Sequence, residues 1–223
     1  MTSIYDSEKM FKDRFDAANQ LASKLEKYRS SNAIVVAIPR GGVPIGYTIA
    51  SALELPLELV LSKKIGHPYN KEYAIGAVTL YGYTLDEASK DVPKEYLDSE
   101  ILAIKALLMQ REVHYYGNRM PISLKHKEVI LVDDGIATGS TLISCIKMIQ
   151  QQEPSKIVVA LPVAPYDSLQ RIKAQLEIDE VVCLIEARNF YAVGQFYEDF
   201  GQVKDEEVIE LLEKSYKNLL NSN

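Results

Sequence analysis

Four times the chain runs through a short apolar segment rich in β-branched residues and then returns to helical spacing of its apolar positions. The segments are Ala33–Ile38, Lys127–Val132, Lys156–Pro162 and Val181–Ile185. Their hydrophobicity is continuous rather than alternating, which marks strands buried on both faces and therefore a parallel sheet covered by helices on each side. Strand–helix alternation with short connections leaves few other topologies. Leu57–Ser62 and Ile75–Leu80 read as further strands, the second leading into a Gly/Tyr-rich hairpin near Gly82, and the polar stretch Lys63–Tyr73 between them reads as a loop.

Helical periodicity covers Glu8–Tyr28, with Phe11, Phe15, Ala18, Leu21 and Leu25 on one face. It returns over Val43–Leu53, from Pro93 to about Tyr116 with Leu97, Ile101, Ile104 and Leu108 in register, and over Ser140–Gln151, Pro165–Gln175 and Asp205–Leu220. The expectation is one α/β domain over residues 1–223. Within it, 1–30 forms an N-terminal helix and 31–185 a core carrying an inserted helical segment at 85–118. Residues 186–203 form an irregular aromatic hood, and 204–223 a closing helix.

The chain is 223 residues long, 47% apolar and 25% charged, an ordinary composition for a soluble globular protein. A formal net charge of -6 and the lack of a helix-turn-helix pattern or basic patch argue against DNA or an acidic membrane surface as a partner. Any anionic ligand must be held by locally placed Lys, Arg and backbone N–H groups. Cys145 and Cys183 each lie inside an apolar periodic segment without zinc-type spacing, and read as reduced core residues. The amino terminus lacks an apolar signal region and no apolar run is long enough to span a bilayer, so a cytoplasmic location is expected.

The chemistry concentrates in Ile130–Leu142, I-L-V-D-D-G-I-A-T-G-S-T-L. Asp133 and Asp134 end a buried strand, where a carboxylate is costly unless solvated, paired or liganded. Gly135, Ala137, Gly139 and Ser140 keep the following backbone accessible, Thr138, Ser140 and Thr141 add hydroxyls, and the N–H groups at a helix start attract anions. No Lys precedes Ser140 or Thr141 as a Walker A loop requires, and neither Gly135–Gly139 nor Gly41–Gly46 supplies the G-x-G-x-x-G of a dinucleotide loop. Two acids ahead of an anion loop suit a sugar diol and its phosphate. Taken singly, Asp134 is also compatible with capping the next turn, Arg40 with a surface turn, and Lys63 and Lys64 with solvated charge.

D-D-G-I-A-T-G-S-T after an apolar strand resembles the phosphoribosyl pyrophosphate (PRPP) loop of type I phosphoribosyltransferases. I-P-R-G-G at Ile38–Gly42 is similar to that family's pyrophosphate loop, and the order of segments matches over nearly the whole chain. K-K-I-G-H-P-Y-N-K-E-Y-A-I-G-A-V and F-Y-A-V-G-Q-F-Y-E-D-F resemble a subgroup known only as predicted phosphoribosyltransferases. The resemblance implies a parallel, Rossmann-like sheet flanked by helices, with a small hood and an added helical segment. It implies that Asp133 and Asp134 bind the ribose hydroxyls, and that Gly135, Ile136, Ala137, Thr138, Gly139, Ser140 and Thr141 wrap the 5-phosphate. It places Arg40, Gly41 and Gly42 at the pyrophosphate, at a non-proline cis peptide, with Lys63 or Lys64 adding positive charge. Among these, Asp133, Asp134, Arg40 and Lys64 are the catalytic candidates.

The implied cofactor is Mg²⁺, bound mainly through PRPP and water, with Asp133 and Asp134 as the candidate protein ligands. The implied activity is transfer of phosphoribose to a nucleobase or related nitrogen acceptor with release of pyrophosphate. Ala137 stands where 6-oxopurine enzymes usually carry an acid, so the resemblance does not extend to hypoxanthine–guanine specificity. Acceptor candidates are Phe190, Tyr191, Phe196 and Tyr197, able to stack on a flat base or else to form a small hood core. Glu198 and Asp199 beside them suit amino groups, and His67 suits acid–base work. A homodimer is the commonest assembly for such chains. Two other readings share the motif: a regulatory protein that senses PRPP or a nucleotide without turnover, and a sugar-phosphate hydrolase or phosphorylase.

Overall fold

All five residues of β1 (Ala33–Ala37) are buried, because alternate side chains enter two separate cores. Ala33, Val35 and Ala37 pack on one face of the sheet with Leu21 of α1 (Arg14–Lys24) and Ile45 and Ile49 of α2 (Gly42–Leu53). Ile34 and Val36 pack on the other with Leu142 and Ile146 of α4 (Ser140–Gln150) and Leu169 and Ile172 of α5 (Tyr166–Gln175). This computed structural model describes residues 10–175 and 177–222.

The main sheet has five parallel strands in the order β2 (Leu57–Leu59), β1, β6 (Glu128–Val132), β7 (Lys156–Pro165) and β8 (Glu180–Ala187). Val35 lies opposite Leu57 on one side and Ile130 on the other. From β1 the chain moves outward to β2, whereas from β6 it moves the opposite way to β7 and β8. The strand order therefore reverses between β1 and β6, and the crevice beyond their carboxyl ends is where ligands bind in open parallel sheets. The Pro39–Gly42 turn and the Asp133–Thr141 loop both leave the sheet there.

The expected loop Lys63–Tyr73 is instead part of a second, antiparallel sheet. It contains β3 (Ser62–His67), β4 (Asn70–Thr79) and β5 (Tyr83–Leu85), paired in that order. Ile65 and Ile75 anchor it in the core while the intervening polar residues pair through their backbones. Too few apolar side chains between them face inward for hydrophobic period alone to mark this stretch as strand. The expected strand Leu57–Ser62 divides accordingly, Leu57–Leu59 staying in the main sheet and Ser62 opening the new one.

The N-terminal helix is shorter than its apolar stripe. Its expected start, Glu8, lies outside the described residues. Asp13 caps it by accepting from the Asp16 N–H at 2.8 Å, so α1 begins at Arg14. Phe11 precedes the cap and pairs instead with the hood, its N–H donating to Phe196 O and its carbonyl accepting from Glu198 N, both at 2.8 Å. Phe15 is largely exposed. α3 (Lys94–Tyr116) starts after Pro93 as expected and buries Leu97, Ile104 and Leu108, and α6 (Asp205–Ser222) closes the described chain. Both cysteines are free, Cys145 buried and Cys183 half-buried, and burial pushes each thiol up to about 12. No helix among the described residues is long and apolar enough to cross a membrane.

α3 is tied to the exposed edge of the main sheet by a buried acid. The Tyr116 hydroxyl donates to Glu58 Oε2 at 2.6 Å and accepts from the Leu59 N–H at 2.8 Å, while the Ile122 N–H donates to Glu58 Oε1 at 3.0 Å. Burial nonetheless pushes the Glu58 carboxyl above its ordinary range. Tyr116→Phe leaves the Leu59 N–H without its acceptor and Glu58 with one donor fewer, and should lower stability by about 2 kcal/mol. Urea unfolding followed by circular dichroism checks this; an unchanged midpoint contradicts it.

Candidate functional site

β6 delivers four buried apolar residues, Val129 to Val132, and then two adjacent carboxylates at its carboxyl end. Asp133 Oδ1 accepts from the Asp134 N–H at 2.9 Å. Asp134 Oδ2 receives both Nε and Nη2 of Arg14 at 2.8 Å, and the Tyr197 hydroxyl donates to the Asp134 carbonyl at 2.6 Å. The second carboxylate oxygen of each acid takes none of these bonds. Burial pushes the Asp133 carboxyl well above the ordinary carboxylate range, and the Asp134 charge beside it adds to the effect. Burial raises Asp134 as well, against the lowering influence of the Arg14 guanidinium.

The glycines of the Pro39–Gly42 turn are fixed by these acids. A Cβ on Gly41 would stand 2.1 Å from Asp134 Oδ2, and one on Gly42 would stand 2.9 Å from Val132 O and 3.0 Å from Asp133 Cα. The two loops can approach this closely only where no side chain intervenes. The Pro39–Arg40 peptide bond is cis, as the family resemblance implies. Arg40, which is 40% exposed, points its Nη1 toward Asp205 Oδ1 at 3.9 Å.

The turn after the acids is held from beneath. Ile136 is buried and its N–H donates to Val163 O at 3.2 Å. From α5, Ser168 donates to Ala137 O at 2.8 Å and Arg171 donates to Thr138 O. Thr138 and Ser140 share a hydroxyl contact of 3.0 Å, and Gly139 opens α4 without a side-chain cap. The first N–H groups of that helix therefore face the loop, with Ala137, Thr138 and Ser140 exposed above them.

Two solvent-open cavities meet at Arg40. One, of about 900 Å³, lies between Pro39–Arg40, Ser62, Thr141 and the side chains of Arg111 and Tyr115 on α3. The other, of about 910 Å³, lies between Arg14, Gly41 and Asp134 on one side and Val193, Phe200 and Gly201–Val203 on the other. Arg14 is the residue that joins the second cavity together. Its Nη1 donates to Gly201 O at 2.7 Å and its guanidinium lies 3.9 Å over the Phe200 ring.

The sequence candidates fall into two groups. Asp133, Asp134, Arg40, Gly41, Gly42 and the Gly135–Thr141 turn converge on the crevice. Lys63 and Lys64 are exposed on β3 and line neither cavity, because strand formation carries them into the second sheet. His67 ends β3, where its Nδ1 accepts from the Tyr69 N–H at 3.3 Å and its ring contacts Tyr69 and Tyr73. Of the four hood aromatics, Phe196 and Tyr197 are buried and Phe190 packs against the same core, so they serve the hood's own packing; Tyr191 is 92% exposed and lines neither cavity. Glu198 and Asp199 lie on the exposed rim and continue the backbone pairing to Phe11 and Lys12. Val193, Phe200, Gln202 and Val203 are the hood side chains that line the second cavity. Arg14, Arg111, Tyr115, Ser168 and Arg171 carried no sequence signal, since each is an ordinary polar position on a helix.

A carboxyl with a raised folded pKa supports the fold only while protonated, and that support is lost as pH rises through the raised value. The two acids therefore weaken the fold at neutral pH. Asp133→Asn keeps the acceptor for the Asp134 N–H and removes the buried charge, and should stabilise the protein by about 1 kcal/mol at pH 7.5. That corresponds to a Tm increase of roughly 3 °C, shrinking as pH falls until both folded and unfolded carboxyls are protonated. Thermal melts of both proteins across pH check it. A variant less stable than the parent at pH 7.5 refutes the electrostatic account.

A family model for the phosphoribosyl transferase domain matches residues 2–200. Two curated Mycobacterium tuberculosis proteins, provisionally named phosphoribosyl transferases, are each 33% identical over 213 residues, 94% of this chain and 48% of theirs. The chain thus spans about half the length of these relatives. The crystal structure of TT1426 from Thermus thermophilus is 36% identical and superposes with a TM-score of 0.81 over 92% of this chain and 98% of that one. With its five-stranded parallel sheet, its paired acids ahead of a helix-opening turn and this match over most of its length, the chain belongs to the phosphoribosyl transferase domain family and has the type I phosphoribosyltransferase fold.

Proposed function

We propose that the chain transfers the 5-phosphoribosyl group of PRPP to a nitrogen of a nucleobase or related acceptor and releases pyrophosphate. The observation that carries this is the meeting, at one strand-order reversal, of two buried carboxylates, a helix-opening anion turn and an arginine loop in van der Waals contact with both acids. The two carboxyls, side by side at the end of β6, suit the vicinal hydroxyls of a ribose. The N–H groups at the start of α4, with Thr138, Ser140 and Thr141, suit its 5-phosphate.

In the reaction the bond between C1 of the ribose and the diphosphate oxygen breaks, its electron pair leaving with the diphosphate. The acceptor nitrogen forms the new bond to C1, and its proton passes to solvent or to the leaving group. Positive charge develops on the sugar ring as negative charge develops on the diphosphate. Fixed charges already in place stabilise both without reorganising. Asp133 and Asp134 face the cationic ring, Arg40 faces the diphosphate, and Arg14 keeps Asp134 oriented through two bonds to one oxygen.

Among the described residues no three His, Cys, Asp or Glu side chains gather as a metal site. Asp133 and Asp134, each raised by burial, are the carboxylates a cation would relieve. Mg²⁺ bound mainly through PRPP and water would add positive charge beside the departing diphosphate. The acceptor belongs in the cavity between Arg14, Asp134, Val193 and Phe200, and the absence of an acid at Ala137 disfavours 6-oxopurines there.

The test is single-turnover pyrophosphate release from PRPP and Mg²⁺ with a panel of nucleobases and other nitrogen acceptors. Release with at least one acceptor is expected, and Asp133→Asn or Asp134→Asn should slow it by about 100-fold or more. PRPP binding with no release for any acceptor would point instead to a sensor. Ribose 5-phosphate formed without an acceptor would point to a hydrolase.

A further inference from the structure

The cavity on the α3 side of Arg40 contains a second arginine. Leu108, Arg111 and Tyr115 stand three and four residues apart on one face of α3. Leu108 and Tyr115 are buried, so Arg111 shares the helix face that lines the cavity and is exposed at its solvent-open mouth. Its side chain makes no ion pair or hydrogen bond among the described residues. Burial, followed by the bond to Asp205, pushes the Tyr115 hydroxyl up to about 12, and the guanidiniums of both Arg111 and Arg40 lie close enough to oppose that rise. Two guanidiniums thus flank one cavity in a protein whose net charge is -6.

A carboxylate of the chain itself lines the same cavity. Asp205, the first residue of α6, accepts from the Tyr115 hydroxyl at 2.5 Å and lies 3.9 Å from Arg40 Nη1. Asp205 keeps its short bond to Tyr115 if Arg40 turns away, so Arg40 can exchange this long, half-exposed contact for a better anion. The floor of the cavity is Pro39, Ser62 and Thr141, the last in the first turn of α4.

The geometry points to a two-arginine diphosphate cradle in which Arg111 of the inserted helix binds the leaving group together with Arg40, and Asp205 occupies Arg40 until the diphosphate displaces it. This rests on the PRPP reading of the neighbouring acids. It gives the inserted helical segment a function: it brings a second planar donor fork to a site where the paired lysines of β3 do not line the cavity. A guanidinium matches phosphate oxygens through two parallel bonds, which a lysine cannot do.

The experiment is titration calorimetry of the full chain with inorganic pyrophosphate and Mg²⁺, with PRPP titrated in parallel. Arg111→Ala should weaken pyrophosphate binding about tenfold, and Arg111→Lys should fall between it and the parent. Asp205→Asn keeps an acceptor for Tyr115 but removes the competing charge, and should tighten pyrophosphate by roughly threefold or more. Arg111 is exposed, so its variants should melt with the parent. Parent binding with Arg111→Ala unchanged, or Asp205→Asn unchanged or weaker, overturns the cradle and leaves the PRPP reading standing. A parent chain that binds neither PRPP nor pyrophosphate removes that reading instead.

Discussion

Two adjacent carboxylates at the end of a fully buried strand set the terms for everything around them. β6 cannot be moved outward to solvate them, because Val129, Ile130, Leu131 and Val132 fill both cores of the sheet. The acids must therefore be accommodated where the strand leaves them. Backbone N–H, a guanidinium and a bare glycine pair do this together. Gly41 and Gly42 pass within contact distance of Asp134 and Asp133, which brings the arginine loop to the same point. A buried carboxyl pair is a poor choice for stability and a good one for binding a cationic transition state. The raised carboxyl pKa values are the trace of that compromise.

The other half of the arrangement comes from chain segments distant in sequence. Arg14 reaches Asp134 across 120 residues and Gly201 across 187. The strand-like pairing of Phe11 with the hood, and the bond from Tyr197 to the Asp134 carbonyl, place that guanidinium. The hood is consequently less a lid than a brace. Phe196 and Tyr197 are spent on its own packing, and of its aromatic rings Phe200 is the one that lines the cavity, beside Val193, Gln202 and Val203.

This division explains what could be read in the sequence and what could not. The sheet and its flanking helices were legible because their apolar positions repeat at the strand or helix period and continue for whole elements. The turn after β6 was legible because its chemistry is contiguous: acids, glycines and hydroxyls occur within Asp133–Thr141. β3 and the first residues of β4 were not, since Ile65 is the one large side chain buried along an otherwise polar stretch. Lys63 and Lys64 lie on this strand and not in the expected loop for the same reason. Arg14 and Arg111 were invisible for a different one: each is a single charged residue on an amphipathic helix, identical in pattern to a solvated position. Aromatic content marked residues 190–200 as a cluster but could not say which rings face inward, because a 3₁₀ turn at Val193–Phe196 resets the phase.

Two charge pairs stand in the site. Asp134 is held by Arg14, and Arg40 faces Asp205, itself held by Tyr115. Neither pair is symmetrical. The Arg14 contact is short, partly buried and made through two nitrogens to one oxygen, whereas the Arg40 contact is long and half-exposed. A half-exposed pair at that distance contributes little, while breaking a short buried pair leaves an uncompensated charge. Ligand binding should therefore leave the first pair intact and exchange the second. In the proposed transfer, the acid that would meet the sugar stays fixed, and the arginine that would meet the departing diphosphate is the one able to move. That asymmetry suits a transferase, in which the sugar must keep its position while its leaving group must go.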